Sequence, residues 1–148
     1  MGTLCDAQGV KLADCFANSF CLSADVTNAF DPNFADTCDK RNNAQLNHGI
    51  ALSKYTGSRG KSGASDAAAE AMGHVRTTLD NAGVIWQVAT LGKVDQGGGG
   101  TVAAYMANRN IVTVDAGVPV ISMHAPFELV AKLDCYETML ACKAIYLA

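Results

Sequence analysis

Apolar and polar positions follow two spacings along this 148-residue chain, and the spacing predicts its elements. Short apolar runs at 19–25, 49–55, 84–90, 111–115 and 118–122 are bounded by Asn, Asp, Gly or Pro, the punctuation of strands. Between them, Ala68, Met72, Val75 and Leu79 fall four, three and four residues apart, which places them on one face of a helix over 66–82. Ser65 is suited to cap that helix and Asp66 to complement its dipole, and residues 81–83 end it. A short helix is predicted over 101–108. A long one covers 127–146, with Leu129, Leu133, Tyr136, Leu140 and Ala144 on its buried face. Residues 26–47, rich in Asn and Asp and holding Pro32, predict an irregular loop, and 57–63 a glycine- and serine-rich turn. Strands alternating with helices predict an α/β domain over 1–148, a layered sheet flanked by helices. The chain opens on helix-like residues, as though further strands belong ahead of its first.

Hydrophobic residues at 49% and charged residues at 17% indicate a globular chain rather than a disordered one, and its length allows a sizeable core. The net charge of −3, with no Lys/Arg cluster, removes nucleic acid and anionic membrane surfaces as expected partners. The longest apolar runs, such as 118–121, are far too short to span a bilayer. No basic stretch followed by an apolar one opens the chain, so a cytoplasmic protein is expected. Six cysteines stand at 5, 15, 21, 38, 135 and 142, with no C-x-x-C pair and no zinc-finger spacing. Cys135 and Cys142 lie seven residues apart on one predicted helix, too far to bridge. Free thiols in a reducing compartment are the expectation.

Three segments carry candidate chemistry: Leu22-Ser23-Ala24-Asp25 with Asp31-Pro32-Asn33 after it, the run from Gly92 through Lys93, Val94, Asp95 and Gln96 to four glycines and Thr101, and Ser122-Met123-His124-Ala125-Pro126-Phe127-Glu128. Taken singly, an Asp ending a strand is more often a turn residue, a His before a helix more often a capping group, and a glycine run more often a turn. Together they say more. An Asp and a His at the ends of two strands converge naturally in the crevice where α/β sheets bind ligands. Carboxylate oxygen and imidazole nitrogen are a suitable donor pair for zinc. Glu128, four residues after His124, is placed to hold the imidazole as an outer partner.

These segments, with Asp115-Ala116-Gly117-Val118-Pro119 between the second and third, resemble in order and content the C-terminal region of the aspartyl aminopeptidase and vacuolar aminopeptidase I family of dinuclear zinc metallopeptidases. The similarity runs from about Ser19 to the C-terminus, and the glycine run is similar to the family's bacterial branch. The resemblance implies a zinc-exopeptidase-like fold, peptide substrates trimmed from the N-terminus, and large homo-oligomers of the full-length chain. It implies Asp25 as a terminal ligand of one zinc and His124 as a ligand of the other, with manganese or cobalt as possible replacements. It places Lys54 near a substrate-contacting lysine. Gly98 to Thr101 are expected to open a helix, so Gly98, Gly99, Gly100 and Thr101 offer backbone N–H groups for a substrate carboxylate or an oxyanion. The family's first histidine, bridging aspartate and Glu-Glu pair, which supplies the general base, precede the Ser-Ala-Asp strand. This chain has no Glu-Glu pair. It is therefore expected to be the C-terminal portion of a catalytic domain, inactive in isolation.

Two other classes stand beside that expectation: a non-catalytic binding or assembly domain on a degenerate peptidase fold, and a small-molecule-binding domain using the 97–100 loop. Gly60-Lys61-Ser62 is a P-loop decoy, because Tyr55 stands where the pattern requires glycine. His48 and His74 are expected at the surface and Trp86 in a core strand.

Overall fold

The computed structural model describes residues 1–57, 65–93 and 95–148. The predicted 57–63 turn and the Gly60-Lys61-Ser62 decoy lie almost wholly outside them. The chain opens with two short helices, α1 (Gly2–Ala7) and α2 (Leu12–Ala17). Then come β1 (Phe20–Ser23), β2 (Thr27–Asn28), a 3-10 segment (Pro32–Thr37) and β3 (Ile50–Ser53). Next are α3 (Ala69–Asn81), β4 (Trp86–Val88), α4 (Ala103–Ala107) and β5 (Val112–Gly117). The chain closes with β6 (Pro119–Ile121), β7 (Leu129–Val130) and α5 (Lys132–Leu147).

The α/β class and the helix-flanked layer are as expected, but the strands divide into two sheets. The larger runs β1-β5-β3-β4 and the smaller β2-β6-β7. In the first, β1 is parallel to β5, β5 antiparallel to β3, and β3 parallel to β4. In the second, β2 is parallel to β6 and β6 antiparallel to β7. One residue, Val118, separates β5 from β6, and 24–26 separate β1 from β2. Two parallel segments thus pass side by side from one sheet into the other.

The core lies on one face of the larger sheet. Ile50, Leu52, Val114 and Ala116 meet Ala71, Met72, Val75 and Leu79 of α3 and Ala141 of α5. The three large α3 residues are the predicted stripe, and fully burying a side chain such as Val75 or Leu79 stabilises the fold by about 2 kcal/mol. Ala68 is exposed, and the fourth member of the stripe is Ala71. The helix also starts later than its capping signal. Residues 65–67 run extended beside Tyr55, with Ala67 N–H donating to the Lys54 carbonyl (2.7 Å) and Thr56 N–H to that of Ser65 (3.3 Å). Ser65 therefore serves a strand-like pairing, and the extended Ala68 becomes the N-cap.

The long C-terminal helix departs further from expectation. It begins at Lys132 rather than 127, because Leu129 and Val130 pair with β6 and Phe127 is 90% exposed. Its buried residues are Asp134, Glu137 and Ala141, backed by Leu140, Ala144 and Ile145, while Leu129, Leu133 and Tyr136 of the predicted face are exposed. The acids explain the rotation. Asp134 accepts the N–H of Asn47 on Oδ2 (2.9 Å) and of Gly49 on Oδ1 (2.8 Å), just ahead of β3. Glu137 Oε2 accepts the N–H of Ile85, just ahead of β4 (2.9 Å). The buried Gly49 amide needs an acceptor, and at both strand starts a charged acceptor forms the stronger bond. Gly49 suits this junction: its φ is +81°, and a Cβ there would lie 2.0 Å from the Ile85 carbonyl oxygen.

Asp134→Ala would leave two amides without their acceptor, at roughly 1–3 kcal/mol each. A loss on the order of 3 kcal/mol is expected in urea unfolding, with Asp134→Asn falling between the two because it keeps one accepting oxygen. Wild-type stability in Asp134→Ala would show that the helix is seated by its apolar contacts alone.

Candidate active-site segment

The strand alternation that sends Val114 and Ala116 into the core sends Thr113 and Asp115 to the other face. Pairing aligns Ser23 with Asp115 and Asp115 with Ser53, so the three form one row across β1, β5 and β3. All three are buried. Burial pushes the Asp115 carboxyl above the usual range and the nearby Asp25 charge adds to this, while hydrogen bonds from the Thr101 hydroxyl and the Ala116 N–H oppose it. Ser23 Oγ stands close enough to favour the ionised form, yet it meets no partner within hydrogen-bonding geometry. Nothing in the motif reading assigned a role to Asp115, Ser23 or Ser53. The usable signal was the period of two in 111–115, which puts an Asp on the side opposite the apolar residues.

Asp25 lies just beyond β1, where the chain leaves the first sheet, and Oδ1 accepts the N–H of Val26 (2.8 Å). Its backbone is pressed against β5. A Cβ placed on Gly117 would sit 1.0 Å from the Asp25 carbonyl oxygen and 2.3 Å from its carbon. The glycine of Asp-Ala-Gly-Val-Pro is thus required sterically: the Asp25–Val26 peptide occupies the space of a side chain. Asp25, Gly100, Thr101, Val102 and Tyr105 line an open cavity of about 410 Å³ beside this point.

The glycine run packs tightly. Gly98 has φ +98°, and a Cβ there would lie 2.3 Å from the Gly57 carbonyl oxygen and 2.9 Å from that of Leu91. Gly99 is in ordinary contact with the Leu91 side chain. Thr101 Oγ1 is 3.3 Å from Thr56 Oγ1. The helix that follows starts at Ala103 and has five residues, so Gly98 to Gly100 precede it rather than open it as expected. Lys54 Nζ donates to Asp66 Oδ1 and, at 3.1 Å, to the Ala67 carbonyl. Its ammonium is held at the partly exposed end of β3.

His124 stands beyond β6, in the turn joining β6 to β7. Ser122 (φ +62°) and His124 (φ +68°) both adopt the left-handed conformation, which costs a non-glycine residue about 1–2 kcal/mol. Glu128 Oε1 accepts the backbone N–H of His124 at 2.6 Å. Glu128 reaches His124 across the turn, not along a helical turn as expected, and it holds the main chain in its left-handed state. The strand pairing separates the two motif residues along β6. Asp25 lies ahead of the β2–β6 pairing, level with Gly117, and His124 lies past its end. Among the described residues no three His, Cys, Asp or Glu side chains gather as a metal-binding group.

His48 is exposed, with Nδ1 2.9 Å from the Leu46 carbonyl, and His74 meets Phe20 edge-on with ring centres 5.7 Å apart. Trp86 is half-buried against the core. Its Nε1 donates to Asp80 at 2.7 Å, and Arg76 lies over its ring. All six cysteines are free.

The profile of the family described as Aminopeptidase I zinc metalloprotease (M18) matches residues 5–146. This chain belongs to the M18 family. It is 50% identical over 137 residues to a probable M18 family aminopeptidase 1 of Clostridium acetobutylicum, covering 92% of this chain and 30% of that protein. It is 46% identical over 143 residues to the Thermotoga maritima counterpart, covering 93% and 32%. The crystal structure of an M18 aminopeptidase from Thermotoga maritima superposes with a TM-score of 0.89 at 45% identity, over 95% of this chain and 32% of that one. A dodecameric mApe1 of S. cerevesiae, 24% identical with a TM-score of 0.71, shares the fold. The chain thus spans about a third of the length of the M18 relatives it matches. In donor chemistry, Asp25 and His124 suit the zinc this family is named for. In number, two donors fall short of the three protein ligands a catalytic zinc takes.

Gly117→Ala is expected to destabilise the chain by about 3 kcal/mol or more, because neither the strand nor the Asp25 peptide has room to move. Gly73→Ala, in α3 with open space around its Cα, should instead add roughly 0.5–1 kcal/mol. Paired urea titrations check the contrast; equal effects would mean that the Asp25–Gly117 approach does not constrain the fold.

Proposed function

We propose that this chain is the C-terminal portion of the catalytic domain of a dinuclear zinc aminopeptidase that removes N-terminal residues from peptides. The observation that carries the proposal is the cavity shared by Asp25, Gly100 and Thr101, where the chain passes from one sheet to the other. In this proposal Asp25 holds one metal and His124 the other, and Glu128 fixes the backbone of His124 so that its imidazole keeps one direction. Zinc supplies Lewis acidity and an activated water when bound, with manganese or cobalt as alternatives. Gly98, Gly99, Gly100 and Thr101 line the substrate side, and Lys54 stands at its edge. The remaining ligands and the general-base glutamate come from polypeptide outside these 148 residues. The full-length protein is a cytoplasmic homo-oligomer in this proposal, in keeping with its kinship to a dodecameric relative.

A non-catalytic assembly role is the second reading, favoured by the lack of a gathered ligand group among the described residues. One experiment separates the two. The isolated chain, with zinc, manganese or cobalt and aminoacyl chromogenic substrates, should show no turnover above background, since two ligands bind zinc weakly and position no base. Mixed with the upstream part of an M18 relative, it should yield metal-dependent turnover that falls at least about a hundredfold with Asp25→Ala or His124→Ala. A stable complex without turnover would leave the assembly role standing and overturn the catalytic one.

A further inference from the structure

The first two helices lie outside the candidate site, and their packing brings two thiols together. Gly9, at φ +66°, turns the chain between α1 and α2, and Val10 N–H donates to the Cys5 carbonyl (2.9 Å). Cys5 of α1 is buried at 7% exposure, Cys15 of α2 is half-buried, and α1 packs on α2 so that the two thiols influence each other. Both line one apolar cavity of about 280 Å³ with Met1, Leu4 and Val10. Cys21 and Cys142 line another groove, between β1 and α5. Cys38 accepts a hydrogen bond from the Asn28 amide instead (3.3 Å).

We propose that Cys5 and Cys15 form a reversible intramolecular disulfide when the protein meets a low-molecular-weight disulfide oxidant. Cys15, the more accessible of the two, attacks as thiolate one sulfur of the oxidant and expels the other as a thiol. Cys5 then releases its proton, attacks the Cys15 sulfur of the mixed disulfide, and expels the second oxidant thiol. Two protein thiols are oxidised and one small disulfide is reduced to two thiols, so atoms, protons and electrons balance. Burial, and then the Cys15 thiol beside it, push the Cys5 thiol up, which suits Cys5 to the resolving rather than the attacking role. The bridge fastens α1 to the helix that leads into β1. Ser19 Oγ donates to the Cys15 carbonyl (2.6 Å), and the Ser19 carbonyl takes the Val112 N–H at the start of the β1–β5 pairing (3.3 Å).

The test is oxidation of the full 148-residue chain with oxidised glutathione, followed by alkylation under denaturing conditions and intact-mass analysis. Two of the six thiols should become unreactive. After trypsin cuts at Lys11, residues 1–11 should stay attached to 12–40 until a reductant is added. Cys5→Ser and Cys15→Ser should each abolish the attachment, while Cys21→Ser and Cys142→Ser leave it unchanged. Six alkylatable thiols after oxidation would overturn the proposal. So would a bridge that survives Cys5→Ser, or a glutathione adduct on Cys15 that never resolves.

Discussion

The contact on which the site depends is the one between the Asp25–Val26 peptide and the bare Cα of Gly117. Two parallel segments, β1 into β2 and β5 into β6, leave the larger sheet together and enter the smaller one together. They make this passage side by side at strand spacing, and at one level the backbone of the first fills the volume where the second would carry a side chain. Only glycine leaves that volume empty. From this follow the place of Asp25 at the cavity rim, the β2–β6 register, and the point at which the His124 turn emerges from β6.

Beside this contact, at the same end of the larger sheet, the starts of β3 and β4 are held by other means. There Asp134 and Glu137 reach across from α5 to accept the amides ahead of β3 and β4, of which that of Gly49 is buried. The helix therefore presents acids to the interior and leaves Leu133, Tyr136 and Met139 outside. Polar satisfaction of the sheet takes precedence over the apolar stripe of the helix, because an unpaired buried amide costs about as much as a large apolar side chain gains by burial. At this one end of the sheet, β1 and β5 are thus fixed by steric necessity and β3 and β4 by charge-assisted hydrogen bonds.

Ser23, Asp115 and Ser53 form a buried row two residues further into the sheet from Gly117. The Asp115 carboxyl stands among hydroxyls on the face opposite the core, and Thr101 ties the glycine loop to it, while Ala51 on the same face packs with Ala44 and Ala89. His124 is held separately, by a left-handed backbone and the Glu128 carboxylate, in a short turn of the second sheet. Backbone strain of this kind persists only where surrounding structure over-determines it.

The strands β1, β3, β4, β5 and β6, the α3 stripe of Met72, Val75 and Leu79 and the M18 kinship were legible in the sequence, since periodicity and motif order are local properties, whereas β2 lies in the expected 26–47 loop and β7 in the expected 127–146 helix. The division into two sheets was not, because one residue between β5 and β6 looks like a single interrupted strand until its partners are known. Nor was the start of α3, where Ser65 has the chemistry of a cap but is taken up by pairing with 54–56. The buried face of α5 followed from amides some 50 and 85 residues away, at Ile85, Asn47 and Gly49, beyond the reach of any helical wheel. The sequence by itself determined the family and which residue types stand at the candidate positions, Asp25 and His124 among them. Only the tertiary structure decided which of them share a surface, because Asp115 becomes a neighbour of Asp25 through strand pairing across 90 residues of chain.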